Sequence, residues 1–177
     1  MDIPHSQIEF SAKHMMFTTV RGRFNSFSGT LNINEADPTQ SSAEGVIEAA
    51  SVDTRDPNRD AHLRSADFFD VEKYPHIKVK TTRVEPAGSG RYKVAADVTI
   101  KDVTREVVFD VATENLGKDP WGGTRQGYSA EATINRKDFD LTWNVALEAG
   151  GWLVGDQVKI SVELQAVKQP AAEAAAA

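Results

Sequence analysis

The chain has 177 residues, with 20 Lys+Arg against 26 Asp+Glu, a formal charge of −6 and no Cys. One domain of that length buries about 70% of the surface of its unfolded form, enough for a core without disulfides or metals. The missing Cys excludes disulfide scaffolds, thiolate zinc sites, iron–sulfur clusters and cysteine nucleophiles. The acidic balance argues against a nucleic-acid or anionic-membrane surface, both of which reward clustered Lys and Arg.

Residues 1–15, MDIPHSQIEFSAKHM, alternate in polarity. They lack the basic start and apolar run of a signal peptide, and no window approaches 18 consecutive apolar residues. A soluble, cytoplasmic protein without stable membrane insertion is the expectation.

Period-2 alternation predicts strands along the whole chain. Ile8, Phe10 and Ala12 form one face of the first. Phe24 then gives way to Phe27, Gly29, Leu31 and Ile33, a phase change that predicts a β-bulge at Asn25-Ser26. Residues 44–53 read as a strand whose facing stays open, because both phases carry apolar residues. Asp56-Pro57 predicts a helix start, with Asp56 as cap, running to about Ser65. Asp67 is the predicted cap of a second turn holding Phe68 and Phe69, ended before Pro75. Further strands carry Ile77, Val79 and Thr81; then Tyr92, Val94, Ala96, Val98 and Ile100; then Val107, Phe109 and Val111. A turn-rich loop over 115–124 precedes a strand with Tyr128, Ala130, Ala132 and Ile134. Asn135 caps a turn over Arg136–Phe139, and Val158, Ile160, Val162, Leu164 and Ala166 form the longest strand. Residues 1–168 make one all-β domain, and the Ala-rich stretch 169–177 is expected to be disordered.

Eight strands with short connections predict an antiparallel sandwich or barrel with one or two short helices in a crossover. An eight-stranded barrel is just wide enough to be filled by side chains or to hold one small ligand. Ala12, Gly22, Gly29, Ala96, Ala130 and Ala132 are small inward candidates. Aromatic residues including Tyr128 fill or line the rest, and the residues alone leave a packed core and a lined cavity both open. In the crossover, Leu63, Phe68 and Phe69 are expected to face inward and close one end, while Asp60 and Arg64 form a surface ion pair.

Imidazole chemistry rests on His5, His14, His62 and His76, whose spacing suits no convergent metal set. GxSxG, P-loop, dinucleotide and HExxH patterns are all absent. No catalytic residue, metal or cofactor is assigned, and an enzyme is not expected, with a small hydrolase as the alternative from another class.

Four segments carry a family resemblance: PHSQIEFSAKHMMFTTVRGRFNSFSG (4–29), SVDTRDPNRDAHLRSADFFDVEKYPHIKVKT (51–81), INRKDFDLTWN (134–144) and VGDQVKISVEL (154–164). Collinear over about residues 3–167, they resemble the YceI-like family of polyisoprenoid-binding, lipocalin-like proteins. The resemblance implies an extended eight-stranded antiparallel barrel whose apolar lumen holds an isoprenoid, polyprenyl or quinone-type, with a fatty acid or fatty amide as the alternative cargo. The lumen residues expected on that basis are Phe17, Phe24, Phe27, Leu63, Phe68, Phe69, Val94, Phe109, Ala132, Phe139 and Trp143. His14 is the expected polar contact at the entrance, and a homodimer is one expected arrangement. The family usually has Gly near Ala95-Ala96 and where Asp102 and Asp140 stand here, which puts local turn geometry in question.

Overall fold

A computed structural model describes residues 1–114, 117–120, 122–148 and 150–168. The expected tail over 169–177 lies outside the described residues. Among the described residues eleven strands form one sheet: β1 (Gln7–His14), β2 (Thr18–Phe24), β3 (Phe27–Asn32), β4 (Ser42–Glu48), β5 (Val52–Asp53), β6 (His76–Pro86), β7 (Arg91–Ile100), β8 (Val103–Thr113), β9 (Gly117–Lys118), β10 (Thr124–Asn135) and β11 (Val154–Val167). Their order is β3-β4-β6-β7-β8-β10-β11-β1-β2-β5, with β9 on β10, and the pairings are antiparallel.

The predicted bulge at Asn25-Ser26 is instead a change of partner. Before it, β2 pairs with β1; after it, β3 pairs with β4. At the bend the Asn25 N–H donates to Ser51 O at 3.1 Å, and the Glu48 N–H donates to Ser26 O at 3.0 Å. One bent stretch therefore stands near both ends of the strand order, and the sheet curls round on itself, which leaves few free edges. Counting β2 and β3 as one and setting aside the two-residue β5 and β9 leaves the eight long strands of a lipocalin-like barrel.

The crossover holds one helix, α1 (Pro57–Arg64). Asp56 caps it, accepting from the Asn58 and Arg59 N–H groups at 3.0 and 3.1 Å. The expected Asp60–Arg64 pair does not form. Asp60 is buried, and a buried carboxylate needs donors; it takes the Thr54 N–H at 2.8 Å and the Thr54 hydroxyl at 2.6 Å. Arg64 donates to Ala50 O and Val52 O at 2.7 and 2.6 Å. The helix is thus fastened by polar groups to the segment around β5.

Asp67 caps nothing. The Phe68 N–H donates to Ser65 O at 3.1 Å, while the Asp67 carboxylate sits 2.9 Å from His62 Nε2. Asn135 caps the 3-10 turn Arg136–Phe139 as expected, accepting from the Lys137 N–H at 3.0 Å. That turn ends on Asp140 at φ 57, a left-handed position that Asp tolerates better than most residues. In the β7–β8 turn the left-handed residue is Lys101 (φ 58), and Asp102 instead accepts from the Tyr74 hydroxyl at 3.0 Å.

Candidate functional site

Burial along the inward face changes from one end of the barrel to the other. On β7, Ala96, Val98 and Ile100 are buried, but Tyr92 and Val94 are half-buried. Neighbouring strands repeat the step at the same end: buried Phe109 and half-buried Val111 on β8, buried Ala132 and half-buried Ala130 and Tyr128 on β10. The same holds for Ile47 against Gly45 and Ala43 on β4, Ile77 against Val79 on β6, and Phe27 against Leu31 on β3. On these six strands one half is filled and the other is open, whereas the inward residues of β1 and β11 are half-buried throughout.

The filled half is closed by the two irregular segments. Leu63 and Phe69 from the crossover, and Phe139 and Leu141 after β10, join its core. Phe24 bridges Phe10 and Phe69, with ring centroids 5.6 and 5.7 Å away. Phe68 and Trp143 meet at 5.5 Å, with His62 edge-on to Trp143 at 4.5 Å, which joins the two covering segments. Arg136, 3% exposed, holds the second segment down: it donates to Leu141 O at 2.6 Å, Trp143 O at 2.9 Å and Gly155 O at 3.0 Å. Burial pulls this guanidinium below its ordinary pKa, and the nearby Asp156 opposes that.

In the open half the inward side chains are half-buried. A concavity of about 500 Å³ lies against β3, β4 and β6, but its wall includes Ser28, Thr30, Glu44, Lys78 and Lys80, which places it on the outward, charged face of the sheet and not in the lumen. A Cβ on Gly45 would meet only Ser28 O, at 3.6 Å. Beside it, the Met1 side chain reaches Gly29: Met1 Cε lies 3.1 Å from where a Gly29 Cβ would stand. The half-buried inward residues named above are all uncharged. At the rim, the Tyr128 hydroxyl donates to Gln126 Oε1 at 3.0 Å, and burial, followed by the charges of Glu35 and Tyr92, pushes its pKa up. Arg125 donates to Asp119 at 2.6 Å and to Asp2, so two carboxylates already neutralise it.

The expected lumen residues divide accordingly. Phe24, Phe27, Leu63, Phe69, Phe109, Ala132 and Phe139 lie in or against the filled core, and Phe68 and Trp143 in the cover. Val94 alone of the set stands in the open half. Phe17 is not inward at all: it is 70% exposed in the β1–β2 turn. His14 ends β1 at the covered end, where its carbonyl accepts from the Phe17 N–H and the Thr18 hydroxyl. Leu31, Val111, Tyr128, Ala130 and Val162 line the open half instead. Their alternation was visible, but periodicity does not say which end the crossover fills.

A curled antiparallel sheet closed at one end by irregular segments defines a lipocalin-like barrel. Residues 1–166 match the family model of the YceI-like domain, and the chain belongs to that family. It is 39% identical over 143 residues to a UPF0312 protein of Photorhabdus laumondii, covering 80% of this chain and 74% of the relative. It is 40% identical over 138 residues to a UPF0312 protein of Serratia proteamaculans, covering 78% and 71%. Among solved structures, Burkholderia cenocepacia BcnA matches with a TM-score of 0.80 at 27% identity, over 93% of this chain and 98% of that one. A polyisoprenoid binding domain from Saccharophagus degradans shares the fold, with a TM-score of 0.68 at 18% identity over 93% and 94%. Among the described residues no helix is long and apolar enough to cross a membrane, and no three His, Asp or Glu side chains group as metal ligands.

Proposed function

We propose that the open half of the barrel binds the hydrocarbon chain of an isoprenoid lipid, polyprenyl or quinone-type, and that the protein serves as its carrier or store. The step in burial along the inward faces of β3, β4, β6, β7, β8 and β10 carries this reading. Burying hydrocarbon contributes roughly 0.8 kcal/mol per CH2. Several isoprene units would gain on the order of 10 kcal/mol gross, before the cost of ordering the chain. Affinity then comes from chain length and needs no elaborate polar motif. The polyisoprenoid binding domain from Saccharophagus degradans is a precedent for that cargo on this fold.

The rim favours an uncharged head group. Arg125 is already held by two carboxylates, which leaves hydroxyl and amide groups such as Tyr128 and Gln126 for the contact. No catalytic role is assigned to any residue.

The test is denaturing solvent extraction of the purified protein, with mass spectrometry of the extract beside a native mass spectrum. A stoichiometric polyprenyl or quinone-type mass is the expected result. A fatty acid or fatty amide would overturn the isoprenoid assignment and keep the cavity. An empty extract, with no uptake of polyprenol or ubiquinone at micromolar concentration, would overturn the carrier reading.

A further inference from the structure

Two turns meet at the covered end of the barrel. The first joins β1 to β2: the Phe17 N–H donates to His14 O, and the central residues Met15 and Met16 have φ values of 50 and 70. The second runs from Val145 to Leu153, with the Leu153 N–H on Val145 O at 2.9 Å and Ala146 bridged to Trp152. They touch. The Met15 N–H donates to Leu153 O at 2.8 Å, and Met16 Sδ lies 3.3 Å from where a Gly151 Cβ would stand.

What these turns display is apolar. Met16 is 65% exposed, Phe17 70% and Trp152 50%, with Met15 and Val145 beside them at 38% and 46%. A hairpin turn with positive φ at both central positions favours Asn-Gly. Met-Met there is unfavourable twice, in its backbone and in its contact with water. A local rule broken in this way points to a role outside the chain.

We propose that the paired turns are a peripheral membrane anchor, whose five apolar side chains enter the interfacial layer of an electroneutral bilayer such as phosphatidylcholine. Four observations choose that occupant. Together the side chains offer on the order of 500 Å², short of the roughly 800 Å² per partner of a standard protein–protein interface. They also project from two turn tips, a shape suited to insertion. At the rim, Lys137 Nζ stands 6.0 Å from the Trp152 ring centroid and Lys13 Nζ reaches Phe17 O at 3.4 Å; Trp and long Lys stems suit the headgroup level. The surface is not cationic. Asp156 pairs Lys137, Glu148 is exposed in the second turn, and the chain carries −6 overall. Anionic lipid therefore opposes docking, and salt leaves it unchanged on neutral lipid.

The anchor stands apart from the open half and does not depend on its cargo. The experiment is sedimentation of the full chain with phosphatidylcholine vesicles, with and without phosphatidylglycerol. Two variants accompany it: Met16→Ser with Phe17→Ser, and Met15→Asn with Met16→Gly. The second pair supplies the residues that the turn prefers, so it should raise the melting temperature while weakening vesicle binding. Both pairs are expected to lose at least tenfold in partition coefficient, and wild type to hold its value between 0.1 and 0.5 M salt. The proposal is overturned if wild type does not partition, if the turn-optimised pair binds as well as wild type, or if binding needs anionic lipid. A dimer in sedimentation equilibrium that either pair dissolves would overturn it in favour of a second copy of this chain.

Discussion

The Phe10 ring lies directly over Gly22 in the neighbouring strand: a Cβ on Gly22 would stand 2.4 Å from Phe10 Cζ and 2.8 Å from Thr54 Cγ2. Gly22 has no left-handed backbone to explain it, so its smallness is a packing requirement. Phe10 has little freedom to yield, since Phe24 lies 5.6 Å away with Phe69 behind it. Gly22→Ala is expected to lower stability by about 1–3 kcal/mol, the usual cost of overpacking. Chemical denaturation measures it, and adding Phe10→Leu should recover part of the loss. An undisturbed Gly22→Ala would mean that Phe10 moves freely.

Gly45 and Gly29 lie side by side in paired strands yet predict opposite outcomes. At Gly29 a Cβ would fall 2.6 Å from the backbone oxygen of Glu44, which cannot swing aside, so Gly29→Ala should destabilise. At Gly45 the inner side is unfilled. Gly45→Leu should fold with unchanged or slightly higher stability, since Gly weakens strand interiors, and should cut lipid retention several-fold. Thermal melts and lipid extraction on both variants check the pair. Full retention in Gly45→Leu would place the cargo elsewhere.

How far the sequence was legible shows in Val94 and Phe109, which pair across β7 and β8. Their alternation made both inward residues, and both are. It could not show that Phe109 is buried while Val94 is half-buried, because that depends on which end the segments around Leu63 and Phe139 come to cover. Phe17 misled for a local reason. The run Met15-Met16-Phe17 contains none of the Gly, Asn or Pro that mark turns, so an aromatic residue there reads as lumen lining and not as an exposed turn tip. At Asn25-Ser26 the phase change was real, but a phase change alone does not distinguish an extra residue from an exchange of partners. The helix of residues 57–64 was legible from Asp56-Pro57, and its attachment was not, because Asp60 meets Thr54 only once the chain folds back.

Asp60 accepts both Thr54 bonds on the same oxygen, Oδ1. An amide oxygen can take its place. Asp60→Asn is therefore expected to cost little, whereas Asp60→Ala strands a buried N–H and hydroxyl and should cost about 2–4 kcal/mol. Urea denaturation of the two variants separates the hydrogen bonds from the charge. An equal loss in both would show that the negative charge, and not the geometry at Thr54, holds the helix.

The N-terminal turn is fastened by Asp2, whose carboxylate faces His5 at 3.1 Å, Gln165 Nε2 at 3.0 Å and Arg125. Desolvation raises its pKa, but the hydrogen bonds from His5 and Arg125 outweigh that and hold it below the ordinary 3.8. A carboxyl depressed in the folded state stabilises fully above its unfolded pKa and loses that contribution as pH falls through the folded value. The fastening should therefore be intact at pH 5 and above and weaken progressively below about pH 4. Amide exchange or NMR shifts of residues 2–6 should report the release while β7 and β8 stay unchanged. Asp2→Asn should show the loosened turn already at pH 7 and remove its acid dependence. Because Met1 lies against Gly29 in the open half, the same variant should exchange bound lipid faster, and an unchanged exchange rate would show that this turn does not restrain the cargo.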